Sequence, residues 1–224
     1  MNENNSLQTK NYKEMAAYVK KLLDRPGSEG HPRKGFVAYS RYQHTMRVCR
    51  WAQRLYEAYP QRDEVDLDAL TIACIFHDIG YSEAWGAAHC AAGARLAGEY
   101  LAQVGYDAER INFICSLIGR HSDKDMLPDG DIPHELVILM EADLLDDTGA
   151  MELVFDAWLD VACDSEKPDF YTILRHMQDC SLRHSYHENR LRSPLGREMW
   201  EKKQLYTREF IAEYERDLEM ASFE

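Results

Sequence analysis

Five places along this chain put a histidine or an aspartate where a helical repeat calls for an apolar side chain: His44, the pair His77-Asp78, His89, His121 and Asp143. Imidazole nitrogens and carboxylate oxygens are good donors to divalent cations. Burying so many of them without partners costs several kcal/mol. Singly, each would serve as a hydrogen-bonded core residue; jointly, they call for a shared cation. The pair closes the run I-A-C-I-F-H-D-I-G, Ile72 to Gly80. We expect this run to be a helix whose end suits a cation, because its last carbonyls carry partial negative charge. Gly80 is expected to stop it in the left-handed conformation, which a residue without Cβ adopts freely.

The elements that must position these side chains read as helices throughout. Lys10 to Asp24 places Met15, Tyr18, Val19, Leu22 and Leu23 at helical spacing before Pro26-Gly27. Ser40 and Gln43 form a capping-box signature for a helix reaching about Tyr59, with His44 one turn before Val48 on its buried side. Asp66 should cap the helix that ends in His77-Asp78. Ser82 should cap another that runs to Val104 and stops at Gly105, with His89 facing inward. Asp107 opens a helix in which Ile111, Ile114, Ile118 and His121 recur at three and four residues. The polar stretch Ser122 to Ile132 reads as a surface loop, and Pro133 as a first helical residue ahead of Leu136, Met140 and Asp143. Helices over Met151 to Leu159, Asp169 to His187 and Gly196 to Met220 complete the chain. No strand alternation, repeat or low-complexity tract interrupts the pattern. The expectation is an all-α fold.

With 224 residues, the chain fits one domain spanning 1–224. Its 26 Lys and Arg against 39 Asp and Glu leave a formal charge of −13, which argues against nucleic acid or an anionic membrane as partner. An anionic substrate therefore needs local help from a metal and a few placed arginines. The polar Met1 to Lys10 has no apolar core for export, and no run approaches a membrane span, so a soluble cytoplasmic protein is expected. Cys49, Cys74, Cys90, Cys115, Cys163 and Cys180 stand singly in apolar helical patterns and read as reduced core thiols.

The letters around these positions resemble the HD-domain metal-dependent phosphohydrolases. They are H-T-M-R-V from His44, F-H-D-I-G from Phe76, H-C-A-A-G-A from His89, I-G-R-H from Ile118 and E-A-D-L-L-D-D-T-G-A from Glu141. The resemblance covers about Arg41 to Ala150. It implies an HD-domain helical bundle, core about 41–150, carrying extra N- and C-terminal helices over about 10–24 and 151–220. It further implies one divalent metal held by His44, His77, Asp78 and Asp143, with a metal-activated water attacking phosphorus. His121 and His89 match additional family histidines that orient phosphate or protonate the leaving oxygen, or hold a second metal. Arg47, one turn after His44, is open to two readings, a contact to a phosphate oxygen or a solvated or structural arginine. Glu83 reads first as a first-turn helix acid and second as a general-base candidate, and Asp146 fits a hydrogen-bonding position beside Asp143.

Departures from the pattern narrow the class. Ile79, Gly80, Tyr81 and Ser82 replace the H-D-x-x-E-D arrangement of guanosine tetraphosphate hydrolases, and Tyr81 stands where some nucleotidases carry an acid. No G-Y-P signature of cyclic dinucleotide phosphodiesterases is present. The implied activity is that of a small stand-alone hydrolase cleaving a phosphate ester of a nucleotide or other small phosphorylated metabolite. Alternative readings are a di-iron oxygenase using all six ligand-type positions, and a non-catalytic metal-stabilised sensor or interaction module. Manganese, magnesium, iron, cobalt, nickel and zinc all suit mixed His and carboxylate ligation. A homo-oligomer is compatible with the sequence.

Overall fold

The computed structural model describes residues 11–25, 41–128, 130–159, 167, 169–184 and 189–220. Among the described residues there is no strand, and the fold is all-α, as the periodicity predicts. The helices in order are α1 (Tyr12–Leu23), α2 (Arg41–Glu57), α3 (Leu67–Phe76), α4 (Ala88–Gln103), α5 (Ala108–Arg120), α6 (His134–Asp146), α7 (Ala150–Leu159), α8 (Phe170–His184) and α9 (Pro194–Glu219). Ser40, Pro26, Gly27 and Cys163, on which sequence expectations rest, lie outside the described residues.

Two helices form the centre. Every residue of α3 from Leu70 to Phe76 except Thr71 is buried, as is α6 from Glu135 to Asp143. A helix apolar on all sides must be surrounded. Helices α1, α2 and α5 supply that cover to α3, and α2 packs along α6, with Val48 and Leu55 fully buried at the contact. Each fully buried side chain such as Phe76 contributes about 1.5–3 kcal/mol. Beyond this core, α7, α8 and α9 enclose a smaller apolar cluster of Leu153, Leu174, Met177 and Ile211.

Side-chain caps start the helices where the sequence indicates. Asp66 accepts from the Ala69 amide at 3.0 Å and Asp107 from the Arg110 amide at 2.9 Å. Gly105, with φ of 89°, follows α4 as its expected stop. Three other boundaries differ. Ser82 caps nothing: it lies in a 3-10 turn, Ile79–Ser82, its hydroxyl donates to the Ile79 carbonyl, and α4 begins only at Ala88. The last helix starts two residues before Gly196, because Ser193 accepts from the Gly196 amide and Pro194 takes the first helical position. Pro133 sits just outside α6 as its N-cap residue.

Gly80 also has another job than the expected one. It does not adopt a positive φ. A Cβ there would stand 1.9 Å from the His89 carbonyl oxygen and 2.6 Å from the Gly93 amide nitrogen. The missing side chain lets the turn after α3 touch the backbone of α4. That contact brings His77-Asp78 against His89.

Candidate metal centre

Four imidazoles converge on one carboxylate, and each is oriented in the same way. The Nδ1 atom of His77 faces the Cys74 carbonyl at 2.8 Å, that of His89 the Gly86 carbonyl at 2.5 Å, and that of His121 the Ile118 carbonyl at 2.7 Å. His44 Nδ1 faces Asp146 Oδ2 at 2.8 Å. Acceptors at all four positions hold a proton on Nδ1 and turn each Nε2 inward. For three of the four the acceptor is the carbonyl three residues back, a contact that the end or first turn of a helix provides.

The Nε2 atoms meet in pairs. His44 and His77 are 3.4 Å apart, and His89 and His121 are 3.2 Å apart. Asp78 stands between the pairs: Oδ2 lies 3.4 and 3.5 Å from the first, Oδ1 3.4 and 3.5 Å from the second. Asp143 Oδ1 adds to the first pair, 3.1 Å from His44 and 3.8 Å from His77. Donors bonded to one ion at about 2.1 Å lie roughly 3.0–3.4 Å from one another. Nε2 atoms facing one another at these distances need a shared proton or a metal ion between them. The donor set therefore fits a divalent metal held by His44, His77, Asp78 and Asp143, with His89, His121 and the second oxygen of Asp78 forming a contiguous subsite. The structure thus brings together all six ligand-type residues expected from sequence.

Local charge tells the same story. Burial works to lower the pKa of His44, yet Asp147, Asp143, Asp146 and Asp78 overcome it and push the imidazole up to about 10. His121 is likewise pushed up to about 9, burial opposing and Asp78 and Cys90 prevailing. Burial would raise the carboxyls of Asp78 and Asp143; neighbouring histidines with Arg41 and Lys124 respectively hold both well below the usual range.

Several neighbours of the cluster were not evident from sequence. Arg41 donates to Asp78 Oδ2 at 3.1 Å and lies over the Tyr81 ring at 4.2 Å; that ring in turn stacks on His89 at 4.1 Å. Lys124, from the stretch read as a surface loop, reaches Asp143 Oδ2 at 2.6 Å and the His121 carbonyl at 2.7 Å. The loop folds inward because Leu127 within it is fully buried. Arg47 grips Asp146 through Nε at 2.8 Å and a terminal nitrogen at 2.9 Å, and so braces the carboxylate that orients His44. Glu83 pairs with Arg95 on an exposed flank and takes no part in the cluster.

Fold and site together define an HD domain. The HD-domain family profile matches residues 41–148, so the chain contains an HD domain. No curated protein matches it by sequence. Among solved structures, an HD-superfamily hydrolase of Bacillus thuringiensis is similar over 93% of this chain and 96% of its own, with TM-score 0.65 and 17% identity. A predicted HD-superfamily hydrolase from an uncultured Thermotogales bacterium covers 92% of each chain at TM-score 0.59 and 19% identity. Bacillus subtilis YpgQ in complex with ADP is similar over 92% of this chain and 94% of its own, with TM-score 0.63 and 18% identity. At these identities the likeness is one of fold.

Proposed function

We propose that the protein is a metal-dependent phosphohydrolase cleaving a phosphate ester of a nucleotide or other small phosphorylated metabolite in the cytoplasm. The observation that carries this reading is the convergence of four Nε2 atoms on the two oxygens of Asp78, with Asp143 beside them. A divalent ion bound there supplies Lewis acidity to a phosphoryl oxygen and lowers the pKa of a bound water. The chain's own residues do the rest. His44, His77, Asp78 and Asp143 hold the ion, and Asp78 directs the attacking water. His121 and His89 either orient the phosphate and protonate the leaving oxygen or hold a second ion. Arg41 and Lys124, both beside the ligands, favour an anionic substrate in a protein of strongly negative net charge. Arg47, more than a third exposed while it holds Asp146, adds a phosphate contact at the margin. The ADP bound by YpgQ supports nucleotides as the first substrates to try.

The test is metal analysis of the purified protein, then a phosphate-release screen over nucleotides and sugar phosphates with manganese, magnesium, iron, cobalt, nickel or zinc restored. Release that disappears in a folded Asp78→Ala variant supports the reading; no release across the panel at full metal content overturns it. The same six ligands would also serve a di-iron oxygenase. Two irons per chain, with absorbance that changes on exposure to oxygen and no phosphate release, would select that reading instead.

A further inference from the structure

Cys90 stands apart from Cys49, Cys74 and Cys115. It sits in the first turn of α4 beside His89, is buried, and faces the second imidazole pair. Its Sγ lies 3.5 Å from His89 Nε2, 3.8 Å from His121 Nδ1 and 3.2 Å from the Ser122 hydroxyl oxygen. His89, Cys90 and His121, all buried, offer donor atoms within 4.8 Å of one another. Cys49, Cys74 and Cys115 belong to no such group among the described residues.

We infer that His89, Cys90 and His121, together with Oδ1 of Asp78, form a thiolate-containing metal subsite that takes a zinc-like or cobalt-like ion and rejects magnesium. Four of the six edges of a four-ligand shell are in range; toward His121 the sulfur stands 3.8 Å from Nδ1, so binding would turn that ring or the thiol to close the shell. With metal–sulfur bonds of about 2.3 Å and metal–nitrogen bonds of about 2.0–2.1 Å, tetrahedral edges are roughly 3.5 Å for sulfur to nitrogen and 3.3 Å for nitrogen to nitrogen. The observed edges are 3.5 Å from Sγ to His89 and 3.2 Å between the imidazoles, with Asp78 Oδ1 at 3.4 and 3.5 Å from the two rings. Both imidazoles donate their Nδ1 protons to carbonyls, which turns both Nε2 atoms toward Asp78 Oδ1 independently of the sulfur. On binding, the S–H bond breaks, its electron pair forms the metal–sulfur bond, and the proton leaves to buffer. A thiolate among imidazoles suits zinc, cobalt or ferrous iron, whereas magnesium prefers an all-oxygen shell.

The inference rests on the cluster being a metal centre, and it is independent of the reaction run there. Apoprotein titrated with cobalt should take up two equivalents. One of them should bring a thiolate-to-cobalt charge-transfer band in the near ultraviolet, and magnesium should not displace that equivalent. The band should vanish in Cys90→Ser and persist in Cys115→Ser. In unaltered protein, bound cobalt should also shield one buried thiol from a maleimide, mapped by mass spectrometry to Cys90, which keeps the question answerable if Cys90→Ser folds poorly. Two cobalt ions per chain without the band, a band that survives Cys90→Ser, or labelling of Cys90 that cobalt does not slow would each overturn the subsite. Wild type that shows the band but releases phosphate from no ester would sink the hydrolase reading and leave the subsite standing.

Discussion

At the scale of single residues, the centre depends as much on what holds the ligands as on the ligands. Asp146 touches His44 on the side away from the other imidazoles and is itself gripped by Arg47. Partners that orient a metal-bound histidine typically contribute 10–100-fold to metal affinity. Asp146→Asn should therefore weaken binding of the first ion by about that factor, measured by chelator competition, while the folded structure persists. An unchanged dissociation constant would show that His44 needs no bracing. Asp78 is the stricter case, because both of its oxygens are in use. Asp78→Ala should remove high-affinity binding at both positions and leave far-ultraviolet circular dichroism intact.

At the scale of elements, the relative placement of helices is set by a few close contacts. Gly80→Ala would drive a methyl group into the backbone of α4 at His89 and Gly93, which no rotamer can relieve. Overpacking of this kind typically costs about 1–3 kcal/mol. We expect a loss near the upper end in chemical denaturation, together with weaker metal binding, since α4 carries His89 and Cys90 away from Asp78. The start of α3 gives a pH-dependent prediction. Arg110 bonds to both Asp66 and Asp68, and its hydrogen bond lowers the pKa of Asp66, which also caps the helix. A carboxyl whose pKa is depressed on folding adds stability above its unfolded value and loses it as pH falls through its folded value. Asp66→Asn should thus lower the melting temperature at pH 7, and the gap to wild type should close in acid below the ordinary aspartate range of about 3.9. A gap independent of pH would mean that the charge on Asp66 contributes nothing.

At the scale of the whole molecule, a buried acid helps to fasten the start of α9 to the core. Glu141, buried in α6 two residues before Asp143, accepts from the Arg192 amide at 2.5 Å, the Ser193 amide at 2.8 Å and the Ser193 hydroxyl. Glu141→Ala would strand these donors, and each buried unsatisfied group costs about 1–3 kcal/mol. The expected result is a lower melting temperature with earlier proteolysis of α9; resistance equal to wild type would deny Glu141 this role. The ion should act on the molecule as a whole too. A ligand at 100 times its dissociation constant stabilises by about 2.7 kcal/mol, so added metal should raise the melting temperature of wild type but not of Asp78→Ala.

The sequence by itself determined the helices, the caps at Asp66 and Asp107 and the likeness to HD-domain proteins, because 3.6-residue periodicity, cap chemistry and motif letters are local. It also marked His44, His77, Asp78, His89, His121 and Asp143, since a polar side chain on an apolar stripe is visible without coordinates. What lay outside its reach were relations between segments far apart in the chain. Nothing local distinguishes Gly80 as a contact point from Gly80 as a helix stop; only the approach of α4 does. Lys124 sits in a polar stretch that reads as solvent-facing until Leu127 draws it onto Asp143. Cys90 has the spacing of a core thiol, and its place beside two imidazoles exists only once α4 and α5 pack together. Tertiary structure decided these because distance in space, unlike helical period, is a property of the assembled chain.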